Sequence, residues 1–239
     1  MNIPQLRFPK FQESWIIEKL GQATEINPSN KKLPNKFIYI DLRSVINGEL
    51  VKENEISISE APSRAQRLLK MNDILFQTVR PYQMNNLFFD RKGNYVASTG
   101  YAQIRTKQNP QFIYQYLHSQ QFVDAVIEKC TGTSYPAINS SNLSIISISY
   151  PLPPEQTKIA SFFSVIDEKI QALKKKKELL EEYKKGVAQK LFSQEKRFKD
   201  EKGKNFPDWE ELELSEFLIL TLREVPTPKQ NYFGLIDKN

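Results

Sequence analysis

Residues Pro154–Phe198 read PEQTKIASFFSVIDEKIQALKKKKELLEEYKKGVAQKLFSQEKRF, with Gly186 as the one break after Pro154. Ile159, Ile166, Leu173, Leu180 and Val187 recur at seven-residue intervals, and Phe163, Ile170 and Leu191 fall four residues after three of them. That spacing lays an apolar stripe along one face of an α-helix. A seven-residue period held this long favours a left-handed supercoil with a partner helix. At 1.5 Å per residue such a rod is about 60 Å long, more than one globular domain ordinarily uses. The stretch therefore reads as a spacer or dimerising arm. Lys177 and Lys184 fall on the stripe and either weaken it or snorkel past a partner. The alternative is a long surface helix packed on its own domain, which periodicity leaves open.

Charge is distributed unevenly around this rod. The 239-residue chain carries 34 Lys/Arg against 28 Asp/Glu, a formal charge of +6. Residues 1–153 and 154–199 are each net basic, and residues 200–239 are net acidic. A basic body suits a polyanionic partner such as nucleic acid, although ordinary solubility accounts for it equally well. One cysteine, Cys130, excludes an internal disulfide and multi-cysteine metal sites, and one histidine, His118, excludes a histidine-rich one. The start MNIPQLRFPKF lacks a signal-peptide core, and no apolar run approaches the roughly 18 residues of a membrane span. The expectation is a cytoplasmic protein with no membrane partner.

N-terminal to the rod the chain reads as an α+β domain, residues 1–153. Strands are expected at Ile38–Arg43, Asp73–Arg80, Leu87–Asp90, Tyr95–Ala97, Gly100–Thr106 and Ile145–Tyr150, with a turn at Asn47-Gly48. Ser63–Lys70 reads as a short helix or a basic turn. Asn109-Pro110 opens a helical stretch whose inner face is Phe112, Tyr116, Phe122, Val126 and Ile127. A polar loop follows from Cys130 to Ser141, and Pro151–Pro154 forms a rigid hinge into the rod, 154–198. Beyond it, Trp209…Leu214-Ser215 echoes Trp15…Leu20-Gly21, so residues 199–239 read as the cut-off start of a second module.

No catalytic constellation emerges. The chain has 8 Gly and no phosphate-cradling loop, and His118 reads as a surface or packing residue. Cys130 reads as an inert thiol. DNA reading is better supplied. Arg64, Arg67, Lys70, Arg91 and Lys92 are phosphate candidates. Gln77, Thr78, Arg80, Tyr82, Asn85 and Asn86 are base-contact candidates, because Arg can pair guanine edges and Asn or Gln adenine. Thr133, Ser134 and Tyr135 add a hydroxyl-rich loop. For any one of these residues a packing or capping role is the simpler reading; it is the cluster that points to DNA.

The order of motifs from loop to rod resembles the DNA-specificity (S) subunits of type I restriction-modification systems. The matching residues are Gly132-Thr-Ser-Tyr-Pro-Ala-Ile-Asn139, then Pro151-Leu-Pro-Pro-Glu-Gln156, Ile159-Ala160, Ile166-Asp167 and the lysine-rich helix. Trp15…Lys19-Leu-Gly21, Asn72–Phe76 with Val79-Arg-Pro81, and Tyr95–Gly100 match less specifically. The resemblance implies a target-recognition domain followed by a spacer helix, in a non-catalytic subunit that directs methyltransferase (M) and endonuclease (R) subunits to a bipartite site on double-stranded DNA. It implies no cofactor on this chain, with S-adenosylmethionine and ATP on the partner subunits. Family members normally carry two recognition domains and two antiparallel spacers; one of each here implies a half-length or truncated form. Two copies pairing the stripe Ile159, Phe163, Ile166, Ile170, Leu173, Leu180, Val187 and Leu191 by a two-fold axis would restore two readers. Rival expectations are an assembly protein that occupies methyltransferase subunits without specifying a site, and a nuclease or methyltransferase fragment.

Overall fold

The computed structural model describes residues 4, 6–30 and 32–216. It divides into two compact units, Met1–Leu173 and Lys174–Asn239. The first unit opens with strand β1 (Ile16–Lys19), helix α1 (Leu20–Ala23) and strand β2 (Thr24–Ile26). Then come β3 (Lys36–Ile40), the hairpin β4 (Val45–Ile46) and β5 (Glu49–Leu50), β6 (Asn54–Ser57), β7 (Ala65–Leu68), β8 (Ile74–Gln77), a 3₁₀ turn (Pro81–Gln83) and β9 (Leu87–Phe88). After these, β10 (Tyr95–Ser98), β11 (Tyr101–Thr106), α2 (Pro110–Tyr116), α3 (Gln120–Glu128), α4 (Ser140–Ser144) and β12 (Ser147–Tyr150) lead to the long helix α5 (Pro153–Phe192).

Two four-stranded sheets form the middle of the domain, ordered β2-β11-β8-β9 and β6-β3-β10-β7, the second mixed because β3 and β10 run parallel. All four residues of β8 are buried, since both faces of its sheet are covered. Ile74 and Phe76 face a core shared with Leu20, Phe112, Phe122 and Val126 of the helices. Leu75 faces the opposite way, into a core with Ile40, Ala97 and Tyr101 between the two sheets. A strand covered on both sides reads as a continuous apolar run, which explains Ile-Leu-Phe. Asn47 and Gly48 both take positive φ, the backbone of a two-residue primed turn between β4 and β5.

Three sequence expectations are corrected. Ser63–Lys70 contains a strand, not a helix or turn: β7 pairs antiparallel with β10 through a bulge, burying Ala65 and, just beyond the strand, Leu69. Ile127 lies on the outer side of α3, at 39% exposure, while Phe122 and Val126 fill the core. The rod helix stops at Phe192, short of Phe198, where Gln194 adopts a left-handed φ of 60°.

The Pro-Pro-Glu-Gln motif fastens the start of α5 to the domain. Glu155 is buried and accepts a two-pronged ion pair from Arg7, at 2.7 Å from Nε and 2.6 Å from Nη2. Gln156, fully buried, accepts from the Asn109 amide at 2.9 Å and donates to the Pro151 carbonyl at 2.8 Å and to Gln108 Oε1 at 3.0 Å. Sequence reading found the motif but not its partners Arg7, Gln108 and Asn109, which lie 47 to 148 residues away. Past this anchor the stripe opens to solvent. Ile159 still packs on the core, but Phe163, Ile166, Ile170, Leu173 and Leu180 are 39–56% exposed.

In the second unit, Trp209 sets its ring edge-on to Phe192, and Arg197 donates to Asp208 at 2.7 Å. Leu214–Glu216 begin a helical turn, as Leu20 begins α1. Residues 217–239 of the expected second module lie outside the described residues.

Candidate nucleic-acid interface

Two segments far apart in sequence meet at the end of β8. Val79 and Ala137 form a bridge; the Arg80 amide donates to the Pro136 carbonyl at 2.7 Å, and the Ile138 amide donates to the Thr78 carbonyl at 3.0 Å. The loop 131–137 is itself closed by a two-way pairing of Thr131 and Ala137, 2.9 Å in each direction. This joint places the Arg80 guanidinium 4.2 Å above the ring of Tyr135. Tyr135 is 65% exposed, Tyr82 on the 3₁₀ turn 50%, and Thr133 and Ser134 are exposed beside them. The result is one surface carrying a cation, two aromatic rings and two hydroxyls. Arg80 takes a left-handed φ of 53° and its Nε is buried without a protein partner, an arrangement that costs about 1–3 kcal/mol and is typical of functional sites.

The other sequence candidates separate. Gln77, Thr78 and Asn86 are 3%, 8% and 1% exposed, which removes them from the base-contact set. The pleat of β8 and the fold of the following loop turn them inward, where they satisfy backbone. Asn86 Oδ1 accepts from the Gln77 amide at 2.8 Å. Gln77 Nε2 donates to the Val79 carbonyl at 2.6 Å and to Gln83 Oε1 at 2.9 Å. Thr78 Oγ1 donates to the Gly100 carbonyl at 2.8 Å. Asn85 is half-buried and accepts from the Asn47 amide at 3.0 Å, tying the β4–β5 hairpin to this loop.

The phosphate candidates split between the two ends of β10. The Arg64 carbonyl accepts from Thr99, and Thr78 donates to Gly100, so Arg64 stands at the same end as Arg80. Arg67 follows on β7 opposite Ala97; its Nε is buried without a partner, and burial lowers the pKa of its guanidinium. Lys70, Arg91 and Lys92 lie toward the other end, beside Tyr95, and Arg91 is ion-paired with Glu53. Two residues have partners that the sequence reading did not give, Asp73 having been read only as a strand end and His118 only as a surface or packing residue. Asp73, fully buried, holds Arg105 at 2.8 and 2.7 Å, Gln103 Nε2 at 2.7 Å and the Lys70 amide at 2.7 Å, so it anchors β8, β11 and the end of β7. His118 faces the loop from the turn after α2, with burial lowering its pKa. Its only sequence signal was its singularity. Burial pushes the Cys130 thiol up, away from a reactive thiolate. No cluster of three potential metal ligands occurs among the described residues, and no described helix is long and apolar enough to cross a membrane.

Comparison with known proteins gives a consistent picture. The model of the type I restriction modification DNA specificity domain matches residues 13–182. The specificity subunit of the type I restriction enzyme HindI from Haemophilus influenzae is 28% identical over 166 residues, covering 66% of this chain and 35% of that protein. The MjaIX specificity subunit of Methanocaldococcus jannaschii is 27% identical over 135 residues, covering 52% of this chain and 30% of that protein. This chain thus spans about a third of the length of these curated relatives. Among solved structures, the HsdS subunit of Thermoanaerobacter tengcongensis aligns with a TM-score of 0.57 at 27% identity, over 71% of this chain and 46% of that one. The S subunit of M. genitalium shares the fold at 19% identity, with a TM-score of 0.57 over 92% of this chain and 53% of that one. The domain and its long helix therefore belong to the type I restriction-modification DNA specificity family.

Proposed function

We propose that this chain is the DNA-reading, non-catalytic subunit of a type I restriction-modification assembly. The first domain binds double-stranded DNA through the face of Arg80, Tyr82, Thr133, Ser134 and Tyr135, with Arg64 and Arg67 on phosphates beside it. Arg80 reads a guanine edge or a phosphate, and the two tyrosines pack against sugar or base. Lys70, Arg91 and Lys92, at the other end of β10, contribute field rather than contact. Helix α5 seats methyltransferase subunits and pairs its stripe with a second copy of the chain, and the endonuclease subunit joins that assembly. S-adenosylmethionine and ATP act on those partners, in the cytoplasm where the DNA lies. Two heads related by a two-fold axis across a helix of about 60 Å read an interrupted palindrome, with half-sites more than one turn, about 34–36 Å, apart.

The observation that carries this reading is the Val79–Ala137 joint, which sets the half-buried Arg80 against the exposed ring of Tyr135. Selection from random duplexes tests it. An enriched split palindrome is expected. Binding that weakens with salt but enriches no sequence would leave only charge attraction. The open stripe of α5 would then favour the second reading, an assembly chain that occupies methyltransferase subunits without choosing a site.

A further inference from the structure

The loop that carries Arg80 and Tyr82 is closed from beneath by a polar chain ending in a histidine. Within α2 and the turn after it, the His118 amide donates to the Gln115 carbonyl at 3.1 Å, and the Tyr114 carbonyl receives the His118 ring instead, 2.8 Å from Nδ1. A carbonyl has no proton to give, so Nδ1 carries the hydrogen. In the neutral ring Nε2 is then a lone pair, and Asn86 Nδ2 donates to it at 3.2 Å. That bond fixes which way the Asn86 amide points. Its Oδ1 is thereby held on the Gln77 amide at 2.8 Å, and Gln77 in turn holds Val79 and Gln83. Asn86 and Gln77 bracket the segment 78–85.

We infer that His118 is a positioning residue for the 78–85 loop, and that only its neutral Nδ1–H form holds the loop in the geometry described. This rests on the reading of that loop as the DNA-binding face. Protonation would set an Nε2–H donor against the Asn86 amide donors. Flipping the amide relieves that clash but turns an NH₂ toward the Gln77 N–H, a second donor–donor contact in a buried place. The charged ring gives up the Asn86 contact while the Met84 carbonyl, itself in the 78–85 loop, favours that charge, so protonation is transmitted to the loop.

The groups around the ring set the balance. Asp167 on α5 and the carbonyls of Tyr114 and Met84 favour the charged form, and burial opposes it more strongly. Asp167 also accepts from Gln115 at 2.9 Å. Tyr114, edge-on to the ring at 4.6 Å, stays neutral, its phenol pushed up to about 12 by burial and Asp167.

Because the chain has one histidine, its imidazole nitrogens are read without ambiguity by NMR on the full chain. The expected result is the Nδ1–H tautomer at neutral pH, with the Gln77, Val79 and Gln83 amide resonances shifting at the imidazole midpoint. A His118→Gln variant of unchanged circular dichroism should lose those shifts. The Nε2–H tautomer, or loop amides indifferent to the imidazole titration, overturns the proposal. A second arm measures affinity for a duplex enriched from the random pool. It should fall roughly three- to tenfold across that midpoint in the parent and stay level in His118→Gln. Parent affinity that stays level overturns the proposal even when the duplex is well bound. Amides that follow the histidine when no duplex can be enriched uphold the positioning and sink the DNA reading instead.

Discussion

The Arg80 guanidinium rests 4.2 Å over the ring of Tyr135, a residue 55 positions away that reaches it through the Val79–Ala137 bridge. A ring face attracts a cation by about 0.5–2 kcal/mol and also restricts where the guanidinium can go. Tyr135→Ala should therefore weaken duplex binding by a few-fold to about 30-fold, while Tyr135→Phe should keep most of it. Fluorescence anisotropy with a selected duplex checks this, with thermal melting of both variants as the control for folding.

Asp73 is the charge on which three strands converge. Removing its carboxylate strands Arg105, leaves the Lys70 amide without its acceptor and leaves Gln103 Nε2 with the Leu68 carbonyl alone. Asp73→Ala should lower unfolding stability by about 3–5 kcal/mol, as measured in urea. A loss below about 1 kcal/mol would mean that the strands hold without it.

Acidification should destabilise the fold through His118. Its pKa is lower in the folded chain than in the unfolded one, so between the two values the unfolded chain binds more protons. Stability therefore rises with pH through that window and is lost as pH falls below the ordinary histidine value of about 6.5. Urea titrations above and below that value should show the slope in the parent and a weaker one in His118→Gln.

Gly132 and Gly186 should respond to alanine in opposite directions. Gly132 has a φ of 90°, and a Cβ there would stand 3.1 Å from the Tyr135 carbonyl oxygen, so Gly132→Ala should cost about 1–2 kcal/mol. Gly186 lies inside α5 with nothing within 4 Å of an added Cβ, so Gly186→Ala should stabilise by about 0.5–1 kcal/mol. Differential scanning calorimetry of the two variants reads both signs.

Ile170 and Leu173 are 45% and 53% exposed on the apolar stripe. Replacing both with Asp should abolish self-association in sedimentation velocity at micromolar concentration and leave the melting of the head unchanged. A parent chain that sediments as a monomer would remove the paired-rod architecture.

The long helix, the α+β class, the Asn47-Gly48 turn and the strand at Ile74 were legible in the sequence, because each is written in local periodicity or turn chemistry. Periodicity also marked the apolar stripe, although not that it lies open from Phe163 to Leu180 and is half-buried at Val187 and Leu191. Tertiary structure alone decided which polar residues face out. Gln77, Thr78 and Asn86 look like base readers by composition, yet they turn inward, Gln77 and Asn86 onto the loop's own backbone and Thr78 onto the distant Gly100 carbonyl, and the Val79–Ala137 joint sets half-buried Arg80 against the exposed Tyr135 ring. It also decided the partners of Glu155, Gln156 and Asp73, since a buried charge or amide takes its complement from whatever the fold brings near. The physical reason is range: helix and turn preferences act over a few residues, whereas burial and hydrogen-bond satisfaction are settled between segments tens of residues apart.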